Sequence, residues 1–376
     1  RFTKLAKATV AATTRALGAL LCACFLLTGA AASGAGAVDV GNKLMMNRFH
    51  AWQATYNRTY ATSDERLRRF EVYRRNVEYI EATNRRGELS YELGENQFTD
   101  LTAEEFQAAF TMPPELLARE AVEEDLLITT RAGPVGEGGG HVDNNGSYYS
   151  DDVASGAAAP YSVDWRSVGA VTPVKDQSKC GSCWAFAAVA SIESLHKIRT
   201  GRLVSLSEQE IVDCPRGAHT NGCNGGFPSA AMSWVARIGG LTTEADYPYQ
   251  SRRGACKRSK LRHRAATIRG GRAVPRYNEA ALELAVVRQP VTVLIDAGGA
   301  FQHYKRGVLS GSCNTKLNHA VTVVGYGTDE DSGRRYWIVK NSWGHRWGEN
   351  GYIRMERRIR RRAGMCGIAM SPYYPV

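Results

Sequence analysis

Seven of the nine cysteines lie between positions 180 and 366 (Cys180, Cys183, Cys214, Cys223, Cys256, Cys313 and Cys366), and this odd number limits what the chain can become. Three disulfides would leave one thiol over, and in a secreted protein a leftover thiol needs a purpose of its own. Secretion is indicated at the other end of the chain. Arg1, Lys4, Lys7 and Arg15 precede an uncharged run from Ala16 to Val38, with small residues at Ala30, Ala32, Ala35 and Ala37. That is the layout of a signal peptide over 1–37, with Cys22 and Cys24 inside it. A membrane anchor is the competing reading, because the run is just long enough to span a bilayer. The Ala, Gly, Ser and Thr of its second half argue against it on transfer cost. Arg rather than Met stands first, so the expectation is that the leader begins upstream. A zinc site at Cys180-x-x-Cys183 lacks a second closely spaced pair, since Cys214 and Cys223 are nine positions apart.

With 376 residues, 43% of them apolar and 23% charged, the chain can bury one large or two medium cores and is neither disordered nor fibrous in composition. Charge divides it. From Tyr161 onward 32 Lys and Arg face 16 Asp and Glu, a net of +16 that leaves −5 for the preceding part of a chain of +11. Glu65, Arg69, Tyr73, Asn76, Ile80 and Asn84 recur every three or four positions, which predicts one side of a long helix. Gly94, Asn96, Phe98 and Asp100 alternate as in a short strand, and Thr102-Ala-Glu-Glu105 has the form of a helix start. Periodicity then fails between about Pro114 and Pro160, an acidic stretch with Glu123, Glu124, Asp125, Asp151 and Asp152 that reads as a flexible linker open to nicking. The apolar segment from Cys183 to Thr200-Gly201 predicts a buried helix with a glycine stop and basic residues in its last turn. Residues 291–295, 319–325 and 336–340 are short, β-branched or aromatic, and predict strands. A helical half thus precedes a β-rich half, with room for a cleft between them.

Cys183 opens the buried helix, where unpaired N–H groups and the helix dipole favour a thiolate. The alternative for such a cysteine is an inert buried thiol. A thiolate needs an imidazolium partner. Of the six histidines that follow, His319 opens a predicted strand in Leu317-Asn318-His319-Ala320 and lies 136 positions downstream, whereas His196, His219, His263, His303 and His345 read as surface residues in helix-end or loop contexts.

The segment Gln177-Ser-Lys-Cys180-Gly-Ser-Cys183-Trp184 matches the signature around the nucleophile of papain-like enzymes. The whole of Tyr161 to Val376 resembles the papain family, and residues 45 to 110 resemble its inhibitory pro-region, with Tyr73 at a Phe position of the pro-region helix motif. The resemblance implies an α+β, two-domain papain-like fold, with a helical left domain and an antiparallel β-barrel-like right domain, preceded by a mainly helical pro-domain. It implies the divisions 1–37 signal peptide, 38–113 pro-domain, 114–160 linker and activation site, and 161–376 mature peptidase. It assigns Cys183 as nucleophile, His319 as general acid and base, Asn341 as the group orienting it under the shield of Trp343, and Gln177 as oxyanion donor.

By the same resemblance Gly225 and Gly226 pair with extended substrate, and Phe227, Pro228, Leu294, Ala320 and Ser371 line an apolar pocket for Leu, Val or Phe two residues before the cut. Disulfides Cys180 with Cys223, Cys214 with Cys256 and Cys313 with Cys366 are implied too; sequence alone permits other pairings. No metal or cofactor is required. The partners expected are protein and peptide substrates, the chain's own pro-region as inhibitor and cystatin-like inhibitors, with no nucleic acid, no membrane after signal cleavage, and a monomeric state. The compartment expected is the secretory pathway, leading outside the cell or to a vacuole or lysosome. Release of the pro-region in acid is expected through buried carboxylates such as Asp100.

Two readings of another class stand beside this one: an inactive homologue that binds or stores, opposed by the intact quartet Gln177, Cys183, His319 and Asn341, and a ligase that hands its acyl group to an amine. The basic runs Arg252 to Arg264 and Arg357 to Arg362 read first as solvated charge and second as a polyanion-binding face. Asn57 and Asn145 head glycosylation sequons, acceptors only if exposed.

Overall fold

The computed structural model describes residues 32–87, 89–113, 159–217 and 219–376. Residues 1–31, the greater part of the expected signal peptide with Cys22 and Cys24, lie outside the described residues, as do the linker from 114 to 158 and Asn145. The chain forms two compact units, one ending at Arg58 and one beginning at Thr59. The first contains α1 (Ala32–Thr55), in which the rings of Phe49 and Trp52 stack with centroids 5.8 Å apart.

The second unit starts with α2 (Ser63–Asn84), capped by the Thr62 hydroxyl accepting from the Glu65 N–H and favoured by Asp64 and Glu65 in its first turn. The side read from the sequence as one face docks the segment that follows. Asn76 Nδ2 donates to the carbonyls of Thr99 and Leu101 (2.8 and 2.9 Å), Arg69 reaches the Asp100 carbonyl and the Glu105 carboxylate, and the Tyr73 hydroxyl donates to Glu95. Asn84 makes a reciprocal pair with the backbone of Leu93. Residues 94–100 do not form the expected strand. The strand is the preceding β1 (Tyr91–Leu93), and Asn96 turns the chain, its side-chain oxygen accepting from the Phe98 N–H (2.9 Å) and its carbonyl from the Thr99 N–H. Asn bonding its own backbone two residues on is a turn former, which overrides simple alternation. At α3 (Ala103–Phe110) Thr102 and Glu105 form the capping box that the sequence predicts.

Beyond Pro160 come β2 (Val163–Asp164), α4 (Cys183–Thr200), α5 (Glu208–Asp213), α6 (Pro228–Ile238), β3 (Gly271–Ala273), α7 (Glu279–Arg288), β4 (Val291–Ile295), β5 (Tyr304–Leu309), β6 (His319–Thr328), β7 (Arg335–Lys340), β8 (Tyr352–Glu356) and β9 (Tyr373–Pro375). Helix α4 ends as predicted, with Gly201 left-handed (φ 75°). The strands run in the order β1-β5-β8-β7-β6-β4-β9-β3, with β2 added beside β6. The fold is α+β; the β-rich half expected to be barrel-like is an open sheet, and its β5–β8 pair is parallel. The pro-region contributes the edge strand β1, antiparallel to β5. One apolar cluster fills the β half and takes in Phe98, Phe106 and Phe110 of the pro-region; a second surrounds α4. Three disulfides join Cys180 to Cys223, Cys214 to Cys256 and Cys313 to Cys366.

Two surface expectations fail. His303 is buried, because β5 begins there under the pro-region: the Tyr79 ring of α2 lies 6.3 Å away and the Gly94 N–H donates to the His303 carbonyl (2.8 Å). Arg357 is buried too, although it heads the run read as solvated. Its guanidinium lies over Tyr326 (4.4 Å) and beside Trp337, 2.6 Å from Glu283 of α7, a carboxylate shared with exposed Arg358. Glu283→Ala would leave Arg357 desolvated without a counter-charge, and we expect a loss of about 3–5 kcal/mol in urea unfolding of the proform. Arg358→Ala, at an exposed pair, should cost about 1 kcal/mol or less.

Candidate active site

Helix α4 presents its first residue, Cys183, at the start of β6. Ser182 precedes it with φ −102° and ψ 13°, and its hydroxyl makes no capping bond, so the N–H groups of Cys183 and Trp184 at the helix end remain directed at the sulfur. The Ala320 N–H adds a third donor, 3.5 Å from Sγ. Cys183 is the free cysteine left by the three disulfides. Burial pushes its thiol up to about 12, outweighing these three donors.

His319, the first residue of β6, is fully buried and lies nearly parallel to the Trp343 indole, with ring centroids 4.5 Å apart. Its Nε2 is 2.7 Å from Asn341 Oδ1, and that same Oδ1 accepts from the Ser342 backbone N–H at 2.8 Å. Only the oxygen of the carboxamide can accept from a backbone N–H, so the Asn341 amide has one orientation and the proton of the neutral ring must sit on Nε2. Nδ1 is left with its lone pair and finds no hydrogen-bond partner among the described residues. Burial pushes His319 down to about 4, with the Asn341 bond opposing. Burial thus disfavours the charged form of both thiol and imidazole in this covered state.

The Gln177 carboxamide is fixed too, because the carbonyls of Phe110 and Cys180 can only accept and so select its nitrogen. The Ser342 hydroxyl donates to Gln177 Oε1 (2.7 Å) and the Gln177 N–H to the Ser342 carbonyl (2.8 Å). Nε2 is therefore presented to the cleft, where it donates to the Phe110 carbonyl (3.1 Å) as well as to Cys180 O (2.9 Å). A pro-region carbonyl thus faces the donor through which a developing oxyanion would be held. The neighbouring Met112 N–H donates to the Asn318 carbonyl at 2.6 Å, Gln97 Nε2 donates to the Trp343 carbonyl, and Phe98 and Phe106 pack edge-on to the Trp343 ring.

The expected substrate-binding residues border this cleft. The Cys180–Cys223 disulfide and a bridge between Gly181 and Asn224 hold the glycine loop beside the nucleophile. Gly225 has a positive φ of 96°, and a Cβ on Gly226 would stand 2.6 Å from the Trp184 indole, so both positions demand glycine. Phe227 and Pro228 start α6, while Leu294 and Ala320 are cross-strand partners of β4 and β6. Met112 is packed in one apolar cluster with Phe227, Leu294 and Ala320. Ser371 is half-buried just before β9.

Sequence reasoning passed over several groups. Ser342, which orients both carboxamides, stands next to Asn341 and carries no signal besides that adjacency. Beneath the site Lys175 bonds Glu193 (2.9 Å) and Glu208 (2.7 Å), Thr172 bonds Glu193, and Lys340 donates to Thr172 (2.8 Å). Lys175, Glu193, Glu208 and Lys340 border a small cavity of about 20 Å³ reached also by Asn341 and Ser342. Glu193 in the midst of an apolar helix was the available clue to this network, since an unpaired buried carboxylate is too costly to persist.

The family model described as papain family cysteine protease matches residues 159–376, and that of the cathepsin propeptide inhibitor domain (I29) matches residues 49–106. Fruit bromelain of Ananas comosus is 44% identical over 351 residues, covering 93% of this chain and 92% of its own. Among solved structures, a recombinant stem bromelain precursor superposes with a TM-score of 0.75 at 45% identity, over 88% of this chain and 98% of that one. The bromelain protease from Ananas comosus, solved in complex with the E64 inhibitor, is 50% identical with a TM-score of 0.56, covering 58% of this chain and 99% of that one.

The neutral state of the buried pair is open to direct measurement. In the ultraviolet difference spectrum between the proform and its Cys183→Ala variant, thiolate absorbance should be absent at neutral pH and appear only in strong alkali, toward about 12. A thiolate midpoint below neutrality would show the covered pair to be ionised already.

Proposed function

The chain belongs to the papain family of cysteine proteases and carries that family's inhibitory propeptide, and from this premise we propose a mechanism on Cys183, His319, Asn341 and Gln177. The observation that carries it is the hydrogen-bonded chain from Ser342 through Asn341 to His319, which leaves the Nδ1 lone pair as the proton acceptor. Once the cleft is uncovered, Cys183 gives its proton to His319 and the thiolate attacks a peptide carbonyl. Gln177 Nε2 and the Cys183 N–H receive the oxyanion, and His319 protonates the leaving amine. The acyl thioester that remains is hydrolysed by water deprotonated at the same ring.

The subsite reading rests on Met112. Met112 of the pro-region belongs to the same apolar cluster as Phe227, Leu294 and Ala320, which supports Leu, Val or Phe over Arg two residues before the cut, with Pro228 and Ser371 assigned to the pocket and Gly225 and Gly226 to the substrate backbone by the resemblance. We take 38–113 as the inhibitory segment, 114–160 as the region cut on activation and 161–376 as the mature enzyme, a monomer open to cystatin-like inhibitors. The leader directs it into the secretory pathway, toward a vacuole, a lysosome-like compartment or the outside. Hydrolysis of fluorogenic peptides with Leu or Phe at that position, after acid treatment of the proform, should vanish in Cys183→Ala and be blocked by a thiol-directed epoxide such as E64. Correctly processed protein that stays inert would favour the binding-protein reading, and a preference for Arg would overturn the pocket.

Acid release has a candidate sensor in His303, with Asp100 as the carboxylate expected from the sequence. Asp100 is buried and accepts from the Tyr60 hydroxyl (2.9 Å). Burial alone pushes His303 down from 6.5 to about 4, and its Nδ1 has no partner among the described residues. Facing it are Tyr79 of α2 and the turn after β1, where Glu95 is engaged by Tyr73; on its own strand Lys305 pairs with Glu92. The docked pro-region therefore holds His303 neutral. That contribution is complete above the ordinary value of 6.5 and is lost as pH falls toward 4. At about 1.4 kcal/mol per pKa step of one, it amounts to something on the order of 3 kcal/mol. His319, also held down near 4, acts in the same direction. His303→Phe should thus move the pH midpoint of autoactivation downward without abolishing it, as followed by proform processing across a pH series; an unchanged midpoint would remove His303 from the switch.

A further inference from the structure

The loop that joins the two oxyanion donors is short and strained. Between Gln177 and Cys183 the chain makes successive tight turns, with Ser178 in the left-handed region (φ 52°), the Cys180 N–H bonded to the Ser178 carbonyl and the Ser182 N–H to the Cys180 carbonyl. The peptide plane that follows Gln177 is held at both ends: on one side the Ser178 N–H donates to Asp176 Oδ1 (2.7 Å). The other side, the Gln177 carbonyl, is held from outside the loop. The Tyr249 hydroxyl donates to the Gln177 carbonyl at 2.8 Å, and because its one proton is spent there, the Ser182 hydroxyl 2.7 Å away must donate to it. Tyr249 is itself anchored independently of the loop: its N–H donates to Glu244 (2.8 Å) and its ring stands edge-on to Phe186 of α4, centroids 4.8 Å apart.

We propose that Tyr249 is a positioning residue for the oxyanion hole: its hydroxyl pins the Gln177 peptide carbonyl and the residue before the nucleophile to one point, so that the Gln177 carboxamide and the Cys183 N–H converge on a single oxygen. The proposal rests on the reading of Gln177 and Cys183 given above. Ser342 holds the Gln177 side chain through Oε1 and its backbone N–H through the Ser342 carbonyl, while Tyr249 holds the carbonyl on the other side of the same residue. Releasing that carbonyl loosens the turn that leads to Cys183, so that the two donors shift against each other, and donors that have to search for the oxyanion stabilise it less.

The chemistry offers a test that general damage would not mimic. Amide hydrolysis and the binding of a peptide aldehyde both place an oxyanion in the hole; thiol–disulfide exchange of Cys183 with a dipyridyl disulfide, which forms an S–S bond and expels a thiopyridine, does not. In Tyr249→Phe, with active enzyme counted by epoxide titration, we expect kcat to fall about 3- to 10-fold, the scale of one hydrogen bond, with KM little changed. Aldehyde affinity should fall in the same proportion while the rate of disulfide exchange stays at the parent value. Ser182→Ala, which spares the bond to Gln177, should change kcat less than about 2-fold. In a Gln177→Ala background Tyr249→Phe should have no further effect, since its target is gone. Disulfide exchange slowed as much as hydrolysis, an undiminished kcat, or a full additional loss in the Gln177→Ala background would each overturn the proposal. Persistence of activity in Cys183→Ala would instead strike the underlying assignment of the site, so the two failures are distinguishable.

Discussion

The site depends on one junction, where the first turn of α4 meets the first residues of β6. The helix offers unpaired N–H groups and a sulfur; the strand offers an imidazole and, one residue on, the Ala320 N–H that reaches the sulfur. The junction is held by more than the reacting groups. Thr292 of β4 and Thr322 of β6 both donate to the Ala187 carbonyl of α4, bonds made within the interior where a missing partner would be costly. Lys175, Glu193, Glu208 and Lys340 span the same boundary with charge. Helical and β halves are thereby fixed against each other close to the pair that must exchange a proton. Ser342 then links the donor side to the acid–base side, bonding Gln177 through its hydroxyl and Asn341 through its N–H.

The fold was legible wherever the physics is local. The Thr102 capping box, the Gly201 stop and the β-branched strands at 291–295 and 336–340 stand as read, because caps, left-handed glycines and pleated-surface side chains act over a few residues. Alternation misled at 94–100, where a single Asn side chain bonding its own backbone outbids the pattern. The barrel-like expectation holds in outline without closure, which is a property of the whole sheet that no strand encodes; here the edge is extended by β1 of the pro-region instead.

The site was legible to a different depth. Cys183 and its signature stand in one stretch of sequence, His319 is singled out by its strand start and spacing, and Asn341 comes from the family resemblance. Ser342 and Tyr249 did not emerge, since their roles arise from residues 165 and 72 positions apart in the chain. His303 was misjudged for the same reason: it lies in a segment of loops and short strands, and its burial is imposed by Tyr79, more than two hundred residues earlier. Arg357 shows the converse error of reading a charge run as uniform, since the chain leaves β8 at Glu356, turns at Arg358 (φ 60°), and gives only the first of the two arginines rings to lie against.

Latency and catalysis draw on the same interactions with opposite consequences. The Phe110 carbonyl lies at Gln177 Nε2, and Met112 is packed among the apolar side chains proposed to select substrate, so the pro-region uses contacts that a substrate would use. Steric occupation alone would leave a reactive thiolate next to a peptide carbonyl. Burial removes that hazard, because a dry environment penalises both members of an ion pair, pushing Cys183 up to about 12 and His319 down to about 4. Water returning to the cleft reverses the penalty, while the helix-end N–H groups and the Asn341 bond, which favour the charged forms, stay where they are. Under the proposed mechanism, uncovering the site and charging Cys183 become a single event.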